Sequence, residues 1–411
     1  MALEPVRSMA EPALTILALN SGSSSLKFGL YRVGTLQSGT LLSGEAEFGE
    51  KAGRFHARGD DGDVLVSETA VISGQRDAIV RIGTLLDDCK MPALDAIGHR
   101  IVHGGPELRQ HCLIDDAVLR QLEAAAVFAP LHVPPALLVV RFALEHFPGL
   151  PQAACLDTTF HADMPDVARV LPIARELQSD GIQRYGFHGL SCESIMRQLA
   201  DDVPYRLIIA HLGNGASVTA VKGGRSVDTS MGLTPSGGII MGTRSGDIDP
   251  GVLIYLMREK NFDTAALEDL IDHRSGLKGI SGVASDMRSL NEAAPTNAGA
   301  RLAIEMFCYS VRKEIAAMAV ALDGLDMLVF TGGIGENDAK VRASICSGLS
   351  WLGVNLDPAR NRTAETPISS PTSRYAVRVI ASQEDEQIAR HAWDLTPQRN
   401  RPSKDGEIAV T

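Results

Sequence analysis

The sequence predicts an α/β protein built from two related halves that enclose a cleft. Three observations carry this expectation. Short apolar, β-prone segments alternate with longer segments of helical periodicity along the 411 residues. A strand–turn–strand design near the start recurs in the second half. Glycine-rich turns follow apolar strands in both halves, where backbone N–H groups can approach an anion.

Residues 1–13 (MALEPVRSMAEPA) hold two acidic residues and two prolines and read as a loose leader, with Met9 offering an alternative start. Residues 14–19 (LTILAL) form a strand, 20–25 a turn, and LKFGLY through Tyr31 the returning strand. Residues 207–221 (LIIAHLGNGASVTAV) repeat the design, because a shift of 192 residues aligns Ile16 with Ile208, Ala18 with Ala210 and Ser25 with Ser217. Apolar residues at helical spacing predict helices over 118–128, 134–146, 249–260, 298–322 and 338–349, with a strand at 327–330 between the last two. The turn-rich connection at 157–165 is the expected domain boundary, and the strand–helix segment 375–395 is expected to return to the first domain. The division is then 14–157 plus 384–397 in one domain and 158–383 in the other, with the site between them.

Composition narrows the function classes. A formal net charge of −11 repels phosphate backbones and anionic lipid, so nucleic acid and membrane surfaces are not expected partners. The longest uncharged stretch, 124–140, carries Pro130, Pro134 and Pro135 and cannot run as an apolar span. Six cysteines without a CxxC pair argue against a disulfide frame or a zinc site and fit a reducing cytoplasm.

No Gly-Lys-Ser or Gly-Lys-Thr occurs, which excludes a P-loop, and the GNGASV string at 213–218 lacks the third glycine of a dinucleotide loop. Three glycine-rich turns remain: NSGSSSLK at 20–27, closed by Lys27, HLGNG at 211–215, and TGGIGEN at 331–337, which opens a helix. Together they suggest a phosphate-bearing ligand gripped from both halves. Arg100 in GHRIVHGG and Arg244 in MGTRSGDIDP sit among small turn residues, where a planar guanidinium suits carboxylate or phosphate; Arg288 in SDMR reads equally as a surface ion pair. Asp157 in CLDTTFH and His188 in RYGFHG lie at element ends and read as functional. His99 and His103 stand four apart on a strand with no third ligand and read as structural.

The strings NSGSSSLK, GHRIVHGG, PLHVPP, RYGFHG, HLGNGAS, MGTRSGDIDPG and FTGGIGEN resemble, in order and spacing, the acetate and propionate kinase family, over about residues 14–395. The resemblance implies the duplicated ribonuclease-H-like fold of actin, sugar kinases and Hsp70. It also implies a homodimer and magnesium- or manganese-dependent transfer of the ATP γ-phosphoryl group to a short carboxylate, acetate by default and propionate as the alternative. By this resemblance Asn20 and Glu384 hold the metal. Lys27, His211, Leu212, Gly213, Asn214, Gly215, Asp286, Met287, Arg288, Gly333, Ile334, Gly335, Glu336 and Asn337 contact the nucleotide. Arg100 binds the carboxylate, His188 and Arg244 stabilise the transition state, and Asp157 is the catalytic aspartate. Val102, Leu131, Phe187 and Pro235 form a small apolar pocket for the substrate's alkyl end.

The substrate carboxylate is already ionised near neutral pH, so Asp157 is expected to orient an arginine or a metal-bound water rather than to move a proton. The chain departs from the family pattern at Val133, Leu190, Cys192, Ser236, Gly237, Ser289 and Gly332; Cys192 removes an imidazole from the active-site side, and 236–237 adjoins Pro235. Two other readings stay open: a sugar kinase, in which Asp157 would take the hydroxyl proton, and a non-catalytic ATP-driven switch.

Overall fold

The computed structural model describes residues 13–397 apart from 23 and 36, so the leader expected over 1–13 lies outside the described residues except for Ala13. The first half runs β1 (Leu14–Ser21), β2 (Ser25–Val33), β3 (Ser38–Glu47), β4 (Gly49–Gly59), β5 (Val64–Ile72), α1 (Gln75–Asp88), β6 (Ala96–Ile101), β7 (Cys112–Leu113), α2 (Asp116–Ala125), α3 (Val133–His146), β8 (Gln152–Leu156), α4 (Asp166–Arg169) and α5 (Gly189–Leu199). The second half runs β9 (Arg206–Leu212), β10 (Ala216–Lys222), β11 (Arg225–Thr229), α6 (Pro250–Lys260), α7 (Thr264–His273), α8 (Gly276–Ser281), α9 (Met287–Ala293) and α10 (Ala298–Ala321). It closes with β12 (Met327–Thr331), α11 (Gly332–Asn337), α12 (Ala339–Ser347), α13 (Pro358–Thr363), β13 (Ala376–Val379) and α14 (Glu384–Leu395).

Two mixed sheets result. The first has the order β5-β4-β3-β2-β1-β6-β8-β7 and the second β11-β10-β9-β12-β13. Within the first, β3-β2-β1-β6-β8 matches the whole of the second in order and in strand sense, antiparallel up to the central strand and parallel beyond it. The repeat seen in the hairpins thus extends to five strands per half. Beyond that common unit, β4 and β5 lengthen one edge of the first sheet, an extension that no repeat in the sequence signals.

The parallel central strands are buried on both faces, as their unbroken apolar runs require; Ile16–Leu19 and Leu207–Ala210 are at most 1% exposed. α10 lies on the second sheet through Ala303, Phe307, Val311, Ile315 and Met318, a stripe at helical spacing. Asn297 caps it by accepting from the Ala300 amide at 2.9 Å.

Two helices fill the space between the sheets. On α5, Leu190 packs with the first-sheet residues Ile16 and Ala18, while Cys192, Ile195 and Leu199 face Leu207 and Ile209 of the second sheet. α14 packs on β1, β2, β6 and β8 and against α5. Of the segment 375–395, only the part from Glu384 onward returns to the first domain, at the 383/384 division drawn from the sequence. β13 stays in the second sheet beside β12, and only α14 crosses, because the amphipathic face of α14 (Ile388, Ala389, Ala392) matches the open face of the first sheet.

Candidate active site

The two copies of the central hairpin point their turns at one cleft. It encloses about 720 Å³ and is lined from the first sheet by Asn20, Lys27 and Arg100, from the second by His211, Gly213, Asn214 and Gly215, and from the crossing helix by Glu384 and Asp385.

Asp157 follows β8 directly and is fully buried. Arg100, near the end of the adjacent strand β6, donates to its Oδ2 through Nε at 2.8 Å and Nη2 at 2.6 Å, and through Nη1 to Asn20 Oδ1 at 3.2 Å. Burial pushes the Asp157 carboxyl up to about 6, against the opposing pull of the Arg100 guanidinium. Its other oxygen, Oδ1, is buried with no hydrogen-bond partner. Burial alone would lower Arg100, but Asp157 and Glu384 reverse that and hold it firmly protonated.

His188 is the N-cap of α5 in a left-handed backbone conformation, φ 60°. The neighbouring glycine makes that corner possible. The Gly189 amide donates to the Asp157 carbonyl at 2.9 Å, and a Cβ at 189 would lie 2.3 Å from that oxygen. This is why RYGFHG and CLDTTFH meet. The His188 ring lies over His211 with centroids 4.2 Å apart, its Nδ1 3.0 Å from Ser217 Oγ. Burial lowers both imidazoles, and the charges of Arg100 and Arg244 add to that for His188, so both rings are neutral at pH 7. Arg244 is held by donating from Nη1 to the Pro235 carbonyl at 2.6 Å, and its Nη2 and His188 Nε2 flank Gly215.

The nucleotide-side turns are equally built. Glu336 Oε1 accepts from the amides of Gly332 at 3.0 Å and Ser382 at 2.9 Å, which ties α11 to the start of the crossing segment. Ser382 Oγ lies 3.1 Å from Ser191 Oγ, and Ser191 Oγ lies 2.8 Å from His211 Nδ1.

Of the sequence-assigned residues, Asn20, Lys27, Arg100, His188, His211, Gly213, Asn214, Gly215, Arg244, Gly333, Glu336 and Glu384 line the cleft. Others do not. Leu212 and Met287 point into the core of the second domain, and Arg288 is exposed, its Nε 3.5 Å from Glu292. Asp286 spends its carboxylate capping α9, and Asn337 donates to the Gly333 carbonyl. Ile334 packs against the second-domain core and Gly335 is buried in α11.

The apolar pocket differs most from expectation. Val102 and Phe187 are buried in the second-domain core, Leu131 is exposed, and Pro235 presents its carbonyl to Arg244. The cleft wall at that point is His132 instead, lowered to about 4 by burial and by Arg244 and Arg100. The sequence carried a signal for it in the PLHVPP turn. Asp385, which accepts from Asn20 Nδ2 at 2.9 Å, was likewise missed, although the acidic run at 384–386 marks a helix start. Cys192 requires a correction: it belongs to the face of α5 that packs on the second sheet and is 1% exposed, so it does not face the site.

Asn20, Glu384 and Asp385 offer oxygen donors suited to a divalent cation. Desolvation in the cleft, together with the neighbouring Glu384 charge, raises the Asp385 carboxyl; Glu384 feels the same desolvation but is held low by the charges of Arg100 and Lys27. Two adjacent half-buried carboxylates lining the cleft suit a cation.

Residues 15–390 match the sequence model of the Acetokinase family. An acetate kinase of Nitrobacter hamburgensis is 41% identical over 398 residues, covering 95% of this chain and 98% of the relative. Among solved structures, a propionate kinase from Francisella tularensis superposes with a TM-score of 0.87 at 38% identity, covering 93% of this chain and 100% of that one. Porphyromonas gingivalis acetate kinase gives 0.83 at 34%, covering 93% and 99%. Likeness of this extent, spanning both sheets and the cleft between them, means that the chain belongs to the acetokinase family.

Proposed function

We propose that the protein transfers the γ-phosphoryl group of ATP to acetate, reversibly, giving acetyl phosphate and ADP. One observation carries this reading: a half-buried arginine, Arg100, oriented by Asp157 and Asn20, stands in the same cleft as Arg244, His188 and the glycine turns of the second sheet. Three of the five N–H groups of Arg100 are engaged by Asp157 and Asn20, and the rest suit a substrate carboxylate.

The chief obstacle is repulsion between a carboxylate nucleophile and an anionic phosphoryl group, so the protein's task is charge neutralisation and alignment. Arg100 positions the carboxylate. Arg244 and neutral His188 flank Gly215, where they can donate to the equatorial phosphoryl oxygens as charge shifts between the two substrates. In the turns at 213–215 and 332–333 the Gly213 and Gly332 amides are spent on the Gly215 carbonyl and Glu336 Oε1, which leaves those of Asn214 and Gly333 to meet the phosphates. Mg²⁺, held through Asn20, Glu384 and Asp385, would neutralise phosphate charge and orient the chain of phosphates when bound. Asp157 acts as a positioning residue: its Oδ2 is committed to Arg100, and the acceptor substrate has no proton for it to remove.

Propionate is the second reading, supported by the likeness to the Francisella tularensis propionate kinase. A homodimer also belongs to the proposal. α6 has no buried residue and exposes Val252, Ile254, Tyr255 and Met257, and α10 exposes Leu302, Met306 and Tyr309 at successive turns, apolar surface that a second copy would cover. A cytoplasmic location fits six free cysteines and, among the described residues, no helix long and apolar enough to cross a membrane.

The test is ADP release from Mg-ATP with acetate, propionate, butyrate, glucose and N-acetylmannosamine compared side by side. Turnover with acetate or propionate and none with the sugars is expected. Sugar-dependent turnover without carboxylate-dependent turnover would overturn the proposal in favour of a hydroxyl-directed kinase.

A further inference from the structure

A second cavity, of about 440 Å³, lies between one face of α12, α13 and the segment 354–356. It shares no lining residue with the catalytic cleft. Its size falls within the range of small-molecule sites, roughly 300–1,000 Å³. The wall is apolar, formed by Ala343 and Cys346 of α12 with Val354, Leu356 and Pro358. Its two charged lining residues, Lys340 and Arg362, are both cationic and both exposed. The nearby carboxylate of Asp357 is turned to the Ala359 and Arg360 amides as the cap of α13. Hydrocarbon surface beneath a cationic rim, in a molecule of net charge −11, calls for an amphipathic anion rather than a sugar, a base or a cation.

The cavity is wired to the cleft through a buried guanidinium. Asn361, 4% exposed, lines the cavity, and its Oδ1 and backbone carbonyl accept from Nε and Nη2 of Arg342 at 2.9 and 2.5 Å. Arg342, itself 1% exposed, donates from Nη1 to the carbonyls of Gly335 at 2.9 Å and Glu336 at 2.8 Å. Glu336 in turn receives the Gly332 and Ser382 amides at the cleft. A ligand that shifts Asn361 therefore shifts the carbonyls that shape α11, because a fully bonded buried arginine moves with its acceptors.

We propose that this cavity binds a medium-chain monocarboxylate, its tail against α12 and α13 and its carboxylate between Lys340 and Arg362, and that occupancy alters ATP affinity through Asn361 and Arg342. The coupling half rests on the nucleotide role given above to α11; the binding half does not.

The experiment is calorimetric titration of the full-length protein with octanoate, in saturating acetate to occupy the catalytic carboxylate site, with octylamine as the cationic control. Single-site octanoate binding and no octylamine binding are expected. Ala343→Trp, which fills the cavity, and the double variant Lys340→Glu/Arg362→Glu, which reverses the rim, should each weaken octanoate at least tenfold while kcat with acetate is unchanged. Octanoate should change the ATP Kd by about fivefold or more, and ATP should change the octanoate Kd by the same factor.

No octanoate binding, equal binding of octylamine, or binding that both variants leave intact would overturn the site. Binding with an unaltered ATP Kd would overturn the coupling. The double variant changes only exposed side chains, so it decides the question even where Ala343→Trp perturbs folding. Failure of the parent protein to bind ATP would refute the kinase reading alone and leave the octanoate titration to decide the cavity.

Discussion

At the scale of single residues, the ionisation of Asp157 links structure to rate. Its carboxyl titrates near 6 because burial outweighs the Arg100 guanidinium, so it is ionised at pH 7 and protonates just below. Protonation weakens its hold on Arg100. The kcat/KM for acetate should therefore fall on the acid side with an apparent pKa near 6, while His132, lowered to about 4, and His188, held well below its ordinary value by burial, add no limb of their own there. Asp157→Asn should lower kcat/KM about 10- to 100-fold, as loss of an orienting partner typically does, and flatten that limb; an unchanged profile in the variant would sink the assignment. Gly215 makes a separate point. A methyl there would lie 3.0 Å from Arg244 Nη2 and 3.1 Å from His188 Nε2. Gly215→Ala should then reduce kcat about 10- to 100-fold by displacing those donors, with little change in Tm measured by thermal unfolding. His188 and Arg244 were legible in the sequence because each lies among glycines at a turn, Asp157 because it follows an apolar strand, and Arg100, which lies in β6, because it is a cation in a run of small and apolar residues. His132 and Asp385 were not, because their place in the cleft depends on how a proline turn and a crossing helix pack. Whether Val102, Leu131, Phe187 and Pro235 face core or cavity is set by side-chain rotations that no local pattern in the sequence records.

At the scale of elements, α5 and α14 hold the two halves of the site in register. α5 carries His188 at its start and α14 carries Glu384 and Asp385. Glu193 on α5 pins them together. His111 Nε2 lies 3.2 Å from its Oε1 and His391 Nε2, on α14, 2.8 Å from its Oε2. The Leu156 amide donates to His111 Nδ1 at 3.0 Å, so the His111 proton sits on Nε2 and donates to Glu193, which makes the trio a hydrogen-bonded clamp rather than a metal site. Burial alone would raise Glu193, but the two imidazoles outweigh it and bring its carboxyl to about 2, below the ordinary 4.5. A lowered acid contributes stability above its unfolded value and loses it as pH falls through the folded one. Glu193→Gln should therefore cost on the order of 2–3 kcal/mol at neutral pH and make acid unfolding shallower between pH 4.5 and 2, followed by urea titration at several pH values. A variant as stable as the parent across that window would contradict the clamp. The five helices expected from periodicity were legible to within a few residues, and Asp and Asn caps explain where several begin. The β4–β5 extension was not, since its edge strands lack strict alternation. The division at 383/384 falls between β13 and α14, and its physical basis is that one sheet leaves an open edge and the other an open face.

At the scale of the whole molecule, two sheets of one design face a cleft that narrows where both hairpin turns converge, an arrangement suited to closing around ATP and excluding water from the phosphoryl group. The exposed apolar faces of α6 and α10 lie in the second half, so association through them leaves the first sheet free to move. Sedimentation should give a dimer, and Met306→Asp with Tyr309→Glu should shift it to monomer; a parent protein that sediments as a monomer at micromolar concentration would refute this interface. Duplication was legible at this scale because both hairpins repeat the same small and apolar residues at the same offset. The measurement that tests the central claim most directly is hydroxylamine trapping of acyl phosphate from purified protein, Mg-ATP and acetate. Hydroxamate above the blank without acetate, lost on adding EDTA and in Arg100→Ala, is the predicted result. Folded protein that binds ATP yet forms no hydroxamate with acetate, propionate or butyrate would contradict it.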